Sequence, residues 1–319
     1  MGLRILRDIK TITHVDNDIL SADIPREHMF STIWIRIAGT LTVTAAVTLQ
    51  ENSILNLLKK IQIKAEGAIT PKNMNGVLAY LIGKYEYNVA PTLSAPGTAD
   101  GAQTFNASIP ISFILPPAYG RQNRYATLFN SDPLKSLQII LNTGDVDDVI
   151  SAGTATIAAT YSVHSSELSG IKNRMVDLSQ ENQQDKSFSS ASTALEHDFP
   201  LGNLYRRLAF RVLNNGTQSD TLLNRIKVQA NGTNILADIA WSQLLDINKQ
   251  KYQMETMTTG FAILDFDDRN LFAELIPSRN LSSLKLVYDV DAPTSNVGLI
   301  EVVPSELLLN PANQANNGK

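Results

Sequence analysis

Apolar and polar residues alternate along most of this chain, and such alternation is the pattern of half-buried β-strands. Ile33, Ile35 and Ile37, for example, are separated by Trp34 and Arg36. The alternating stretches are short, and Gly, Pro and Asn punctuate them. Further stretches lie at 41–49, 61–65, 109–113, 137–141 and 154–163 in the first half, and at 208–212, 226–230, 261–263, 284–288 and 299–303 in the second. The pattern predicts an all-β protein whose antiparallel sheets form a sandwich or barrel.

One stretch in each half follows helical spacing instead. Its apolar positions are Met74, Val77, Leu78, Leu81, Ile82 and Tyr85 in the first half, and Leu236, Ile239, Ala240, Leu244 and Ile247 in the second. Asn73 or Asn75 is available to cap the first of these segments. We therefore expect one short amphipathic helix in each half.

Two segments of the chain occur twice, in the same order. Residues 57–67 recur in similar form at 222–232, an offset of 165. Residues 132–139 recur in similar form at 279–286, an offset of 147. A period near half of the chain length is too long for a solenoid, whose repeats span about 20–50 residues. The repetition therefore predicts one kind of β-sandwich domain built twice in tandem.

The two copies differ in one connection, and a polar segment separates them. The offsets of 165 and 147 differ by 18 residues, and the small-residue loop at about 91–103 is the candidate for this insertion in the first half. Residues 179–192 are polar and nearly free of aliphatic side chains, as linkers are. The predicted division is an N-terminal arm at 1–16, a first domain at 17–178, a linker at 179–192, a second domain at 193–308 and a C-terminal tail at 309–319.

Composition narrows the class of function. Of the 319 residues, 43% are hydrophobic and 18% are charged, which is enough to give each domain a core. The 27 Lys and Arg residues stand against 31 Asp and Glu residues. Because the chain lacks a basic footprint, we expect no direct contact with nucleic acid. The absence of cysteine excludes disulfides, thiolate nucleophiles and Cys-based metal sites.

The sequences near the two ends of the chain lead to different expectations. Charges near the N-terminus interrupt any signal-peptide core, and no apolar run approaches the roughly 18 residues that span a bilayer. Leu3, Leu6 and Ile9 form, with Arg4 and Arg7, a short amphipathic pattern. This segment either lies on an anionic membrane surface or docks on its own domain or on a neighbour. The Asn-rich tail at 309–319 has a composition that normally stays disordered without a contact.

The sequence offers no catalytic, cofactor or metal site. It contains no nucleophile elbow, P-loop or dinucleotide fingerprint. We interpret the four scattered histidines as structural, because they lack ligand spacing: His14, His28, His164 and His197. Trp34 and Trp241 fall inside predicted core elements, which favours packing over a sugar-stacking platform.

Two acidic clusters remain as candidates for a cation site. They are Asp145, Asp147 and Asp148 in the first half, and Asp265, Asp267 and Asp268 in the second. Both fall where a strand gives way to a turn, a position that Asp favours for local hydrogen bonds. A structural turn is the main interpretation, and a cation site between subunits is the alternative.

The duplicated order of strand, turn, helix and late strand resembles a known family of proteins. The segments that carry the resemblance are 57–85 and its counterpart 222–247, followed by the late strands from Leu134 and Leu281. Over about residues 17–308 this arrangement is similar to the double jelly-roll major capsid proteins of tailless, membrane-containing icosahedral phages, of the corticovirus-like or flavobacterial lipid-containing type. The resemblance implies two tandem eight-stranded antiparallel jelly-roll sandwiches, each with a short helix.

The resemblance also implies a function. In that family three chains form a homotrimer with six similar lobes, so that a threefold object has a nearly hexagonal outline and tiles an icosahedral facet over an internal membrane. The implied partners are neighbouring capsomers, penton and minor capsid proteins, with peripheral contact to the membrane. The implied location is the virion, after assembly in the host cytoplasm. The resemblance carries no site residue onto this chain.

One rival interpretation belongs to another class. A receptor-binding or carbohydrate-binding β-sandwich protein, such as a virion spike, would expose aromatic clusters in its loops. Tyr85, Tyr87, Tyr119 and Tyr125 are dispersed along the sequence, and only the last two look loop-borne. A β-sandwich hydrolase would need a nucleophile or a metal constellation, and the sequence supplies neither.

Overall fold

The computed structural model describes residues 3–67, 69–87, 91–116, 125–170, 178–267 and 274–308. The chain divides between Ser179 and Gln180 into two compact units. Strand β11, Leu178–Asn182, contains this boundary. Asp268, Tyr119 and the tail at 309–319 lie outside the described residues.

The first unit contains ten strands and one helix within the described residues. They are β1 Leu3–Thr13, β2 Ile19–Asp23, β3 Met29–Leu49, β4 Leu58–Ala65, β5 Ile69–Met74, α1 Gly76–Glu86, β6 Leu93–Ser94, β7 Gly101–Ser112, β8 Phe129–Asn130, β9 Leu137–Thr143 and β10 Ile150–Ser169. One sheet has the order β1-β10-β3-β7-β6 with β8 beside β3, and the other has the order β5-β4-β9-β2.

The second unit repeats this plan. Its elements are β12 Gln184–Phe188, β13 Ser192–Asp198, β14 Leu204–Asn214, β15 Thr217–Gln218, β16 Leu223–Ala230, β17 Asn234–Ala240, α2 Trp241–Tyr252, β18 Phe261–Asp265, β19 Ile276–Pro277, β20 Leu284–Val290 and β21 Gly298–Leu308. One sheet orders β12, β21, β14 and β18, with the two-residue strands β15 and β19 also beside β14. The other sheet has the order β13-β20-β16-β17.

Each unit therefore rests on eight main strands in two sheets. The order β1-β10-β3-β7 matches β12-β21-β14-β18, and β2-β9-β4-β5 matches β13-β20-β16-β17. The pairings between neighbouring strands in these four orders are antiparallel, including the long β3–β10 pair at the centre of the first unit. These observations confirm the predicted all-β fold of two tandem eight-stranded jelly rolls.

The core of each unit lies between its two sheets and follows the alternation in the sequence. Ile33, Ile35 and Ile37 of β3 are fully buried. Leu208, Phe210 and Val212 of β14 occupy the same place in the second unit and belong to its apolar cluster with Ile226, Val228, Trp241, Leu286, Tyr288 and Val302. Burying such side chains is worth roughly 1.5–3 kcal/mol each, so the inward-facing positions of the strands hold each sandwich together.

The echoed segments adopt the same register in both units. Ile61 of β4 pairs with Leu141 of β9, and Ile226 of β16 pairs with Tyr288 of β20. A register shift follows the first residue of β4 and the first residue of β16 alike. The duplication thus preserves strand pairing, including its irregularity, and not only sequence.

The turn that closes each echoed strand is also duplicated. Glu66 and Gly67 have φ values of 51° and 73°, and Asn231 and Gly232 have φ values of 53° and 78°. Left-handed backbone at both positions suits a tight hairpin and explains the glycine. Each non-glycine side chain then accepts a hydrogen bond from the chain before the late strand, at 3.2 Å for Glu66 Oε1 and 2.7 Å for Asn231 Oδ1.

A third echo lies near the ends of β10 and β21. The sequence Ser-Glu-Leu occurs at 166–168 near the end of β10 and at 305–307 near the end of β21. In both places the strand pairing shifts register immediately before the glutamate. Glu167 and Glu306 are therefore equivalent residues, and both are buried.

The helices differ from each other more than the strands do. Asn75 caps α1 by accepting a hydrogen bond from the Leu78 N–H through its side chain. The predicted helix of the second half is wrong at its start, because 234–240 form β17 and α2 begins at Trp241. The hairpin at Asn231 and Gly232 turns this segment back onto β16, so its apolar residues pack as a strand.

Two predicted boundaries are also corrected. The segment 1–16, expected to be an N-terminal arm, is largely the edge strand β1, which pairs with β10 from Leu3 to Thr13. The predicted linker at 179–192 contains most of β11 and all of β12, because polar side chains do not prevent backbone pairing between strands. The expected insertion at 91–103 holds the two-residue strand β6 and the start of β7, and its residues are mostly exposed.

Candidate functional site

Three of the four histidines contact aromatic or acidic side chains, and His164 lies 3.5 Å from the Asp8 carboxylate. His14 bonds the hydroxyl of Tyr161 at 2.8 Å and the carboxylate of Asp16 at 2.9 Å. His197 packs against Phe199 and Tyr288, and burial lowers the pKa of its imidazole. Within the described ranges, no three or more His, Asp or Glu side chains come together in a way that could hold a metal ion.

The first acidic cluster closes a turn. Asp145 precedes the 3₁₀ turn Val146–Asp148 and accepts the backbone N–H of Asp147, while the Asp148 side chain accepts the N–H of Asp145. Lys59 Nζ lies 2.9 Å from the Asp148 carboxylate. The Asn17 side-chain amide donates to Asp145 and is the main cause of the lowered pKa of that carboxyl. The Asp145 and Asp148 carboxylates are thus occupied by local donors.

In the second acidic cluster, as in the first, an Asp carboxylate is occupied by donors from nearby residues. Asp265 ends β18 and lies 3.0 Å from Lys251 Nζ of α2. The Asp267 N–H donates to Asp265 Oδ1 at 3.2 Å. This cluster joins the end of a strand to a helix by an ion pair.

A buried ionic cluster in the second unit escaped the sequence analysis. Arg211 of β14 and Glu301 of β21 are direct cross-strand partners and lie 3.0 Å apart with side chains only 8% exposed. Arg211 Nε also donates to Gln218 Oε1 at 3.0 Å. A second pair, Arg207 with Glu181, is 2.7 Å long and equally enclosed. These contacts fix β14 against its neighbours through directed, charge-assisted hydrogen bonds.

Each of the duplicated glutamates is enclosed and accepts a hydrogen bond from a neighbouring polar side chain. The Ser165 hydroxyl donates to Glu167, and Arg7 Nε lies 3.6 Å from that carboxylate. Asn203 donates to Glu306, whose pKa is raised, mainly by burial. A buried carboxyl at the same bulge of both units therefore belongs to the duplicated framework.

The two tryptophans have different environments in the structure. Trp241 is buried in the core of the second unit, and its indole N–H lies 3.3 Å from Asp220 Oδ1. Trp34 is half-buried on the outer face of β3 and lines a cavity of about 240 Å³ with Tyr87 and Tyr125; its packing interpretation stays a prediction. Period-two alternation opposite Ile33 and Ile35 already places Trp34 on that outer face.

The remaining wall of this cavity is mixed. It contains Arg4, Ser31, Thr32, Pro110, Ser112, Ile114, Ser166 and Leu168. Arg4 Nε donates to the Ser166 hydroxyl at 3.2 Å. Aromatic faces beside hydroxyl and guanidinium groups can receive a small ligand that is apolar on one side and polar on the other.

Neither helix within the described residues has the length and apolarity needed to cross a bilayer. The sequence matches no family model, and no curated protein matches it significantly.

Solved structures, in contrast, match the fold along almost the whole chain. The crystal structure of the major capsid protein of Sulfolobus Turreted Icosahedral Virus superposes with a TM-score of 0.80 at 15% identity, over 98% of this chain and 99% of that one. The major capsid protein of bacteriophage PM2 gives 0.64 at 11% identity over 97% and 99%. The Faustovirus major capsid protein gives 0.65 at 9% identity over 97% and 91%. These likenesses establish a shared fold.

Proposed function

We propose that this protein is a viral major capsid protein of the double jelly-roll type and that it acts in the virion as a structural component, not as an enzyme. The observation that carries the proposal is the match of both units, in tandem and over 98% of the chain, to the capsid protein of Sulfolobus Turreted Icosahedral Virus. Fold alone does not fix function. Here, however, the shared feature is the duplication of a whole sandwich with little added to it.

The proposed assembly is a homotrimer. Three chains with two similar sandwiches each supply six similar lobes, so a threefold assembly can occupy a hexagonal position in an icosahedral shell. The preserved register of Ile61 with Leu141 and Ile226 with Tyr288 supports this use, because two units with the same framework can make similar lateral contacts. Neighbouring capsomers and the penton and minor capsid proteins would be its partners.

The proposed shell encloses an internal membrane. The 27 basic and 31 acidic residues of the chain support a coat that does not contact the genome directly. Leu3 and Leu6 of β1 expose large apolar side chains next to Arg4 and Arg7. This edge supports a peripheral contact of the coat with an anionic lipid surface. Assembly is proposed to take place in the host cytoplasm.

Mass measurement of the purified protein tests the assembly directly. Native mass spectrometry and light scattering across a range of salt and protein concentrations should find a trimer of the 34.9 kDa chain. Electron microscopy of concentrated samples should show pseudo-hexagonal particles. A protein that stays monomeric under every condition would overturn the proposed function.

The aromatic cavity supports a second candidate, a glycan-binding protein. Trp34, Tyr87 and Tyr125 offer ring faces for the C–H face of a sugar, and Arg4 offers hydrogen-bond donors to its hydroxyl groups. Glycan-array binding by the wild-type protein, lost in Trp34→Ala but kept in Trp241→Phe, would favour this candidate. An array without signal would remove it.

A further inference from the structure

Asparagine followed by glycine is a sequence that can modify itself without an enzyme. The glycine nitrogen attacks the side-chain carbonyl carbon of the asparagine and forms a C–N bond. The amide nitrogen leaves as ammonia with the proton that the glycine nitrogen gives up, and water then opens the succinimide ring to aspartate or isoaspartate. Glycine favours the reaction because no Cβ shields the attacking nitrogen. The chain contains Asn-Gly at 75–76, 215–216, 231–232 and 317–318, and the last of these lies outside the described residues.

Two of these sites form a matched pair in the second unit. Both have the sequence Asn-Gly-Thr, and both lie exposed in the turn of a β-hairpin. The φ values are 51° and 82° at Asn215 and Gly216, and 53° and 78° at Asn231 and Gly232. A Cβ built on either glycine would meet no atom within 4 Å. Sequence, backbone conformation and access are therefore alike at the two sites.

Hydrogen bonds hold the side chain of Asn231 in place. Its Oδ1 accepts the Ser282 N–H at 2.7 Å and the Ser282 hydroxyl at 3.1 Å. Its own N–H donates to the Ser283 carbonyl at 3.0 Å. Ring closure requires the side-chain amide to rotate onto the Gly232 nitrogen, and this rotation would break the bonds to Ser282. Their loss opposes the reaction at Asn231.

Asn75 is protected in a different way. Its side chain accepts the Leu78 N–H at 2.9 Å as the cap of α1. Gly76 is buried, and a Cβ there would lie 2.6 Å from the Leu55 carbonyl oxygen. The amide is anchored and the space beside the attacking nitrogen is filled, so both conditions for ring closure are poor at this site.

Asn215 combines an accessible turn with a free side chain. Within the described ranges, no group forms a hydrogen bond with its side-chain amide. Strand β15 is two residues long and pairs with β14 only from Leu213 to Gln218 and from Asn214 to Thr217. The end of so short a hairpin opens locally at low free energy. Neither an anchored amide nor a filled space therefore opposes ring closure at Asn215.

We propose that Asn215 is a site of self-modification, at which the protein deamidates to aspartate and isoaspartate. Neither step depends on the proposed capsid function, because both take place within one hairpin. Each event adds a carboxylate at the hairpin tip. Isoaspartate also adds a methylene group to the backbone of the two-residue turn, which disturbs the pairing of Asn214 with Thr217 and the 2.7 Å bond from the Asn215 N–H to the Val297 carbonyl.

Peptide mapping of the full-length protein after storage at mildly alkaline pH tests the site. Trypsin releases the three asparagines in separate peptides: Asn215 in 212–225, Asn231 in 228–249 and Asn75 in 73–84. Fragment-ion spectra locate the modified residue, and isoaspartyl methyltransferase labels the isoaspartate. Deamidation at Asn215 should be at least about tenfold faster than at Asn231, where two hydrogen bonds must break. It should also exceed the rate at Asn75.

Two controls separate the fold from the sequence. In guanidinium chloride Asn215 and Asn231 should deamidate at similar rates, because they share the sequence Asn-Gly-Thr. Asn215→Gln lengthens the side chain by one methylene group, which disfavours ring closure, and should leave peptide 212–225 unmodified in the folded protein. Equal rates at Asn215 and Asn231 in the folded protein would overturn the proposal. Continued modification of peptide 212–225 in Asn215→Gln would overturn it as well.

Discussion

The ion pair between Arg211 and Glu301 predicts a large and asymmetric response to substitution. The two residues are cross-strand partners in β14 and β21, 3.0 Å apart and with side chains only 8% exposed. Arg211→Met would remove the cation and leave the Glu301 carboxylate enclosed. Glu301→Leu would remove the anion and leave the Arg211 guanidinium with Gln218.

The size of the effect follows from desolvation. Removing one member of a buried pair costs about 3–5 kcal/mol, because the remaining charge stays out of water without its counter-ion. The free energy of unfolding of a domain is about 5–15 kcal/mol, so either substitution should lower it by a large fraction. Replacing both members by apolar residues removes both desolvation penalties and is often neutral or stabilising by about 1–4 kcal/mol.

Urea unfolding of four proteins measures these terms: the wild type, Arg211→Met, Glu301→Leu and the double variant. The double variant should be more stable than either single variant, with a coupling energy of about 3 kcal/mol or more. Lys249→Met, which breaks an exposed pair with Asp246, should change the unfolding free energy by less than about 1 kcal/mol. A double variant that loses the sum of both single effects would refute the reasoning.

Three further substitutions test other parts of the framework. Gly39→Ala would place a Cβ 2.3 Å from the Ala158 carbonyl oxygen and should cost about 1–3 kcal/mol in urea unfolding; an unchanged midpoint would contradict this. Asn75→Ala removes the side-chain cap that binds the Leu78 N–H and should lower stability by about 1 kcal/mol. Burial raises the pKa of the Glu306 carboxyl above its ordinary value of 4.5, so its contribution is present at low pH and is lost as the pH rises through that raised pKa. Glu306→Gln should therefore gain stability relative to wild type from acidic to neutral pH, and a constant difference would count against the assignment.

The strand framework was predictable because period two reports which side chains face the core. Ile33 to Ile37 in β3 and Leu208 to Val212 in β14 follow it directly. The same rule does not reveal what covers the other face of a strand. Arg211 alternates with core residues as an exposed side chain would, and only the fold shows that Glu301 and Gln218 enclose it.

The errors have a common physical origin. Leu236, Ile239 and Ala240 satisfy helical spacing, but the hairpin at Asn231 and Gly232 returns this segment to β16 and makes it a strand. The spacing of apolar residues within a segment does not show whether a nearby turn will pair that segment with another strand. For the same reason the strand β1 was missed, since its partner β10 lies about 150 residues further along the chain. The cavity at Trp34 likewise depends on residues that only the fold brings together.

The pairing of the first and last strands of the first unit also determines when, during synthesis, this unit can complete its sheet. Leu3 of β1 pairs with Ser169 of β10, so β1 waits for its partner until roughly 160 more residues have been added. At about 5–20 residues per second this interval is about 10–30 s. The second unit closes in the same way, because Phe188 of β12 pairs with Gly298 of β21. Each sandwich is thus completed by its own final strand, and the first can finish folding while the ribosome is still translating the second.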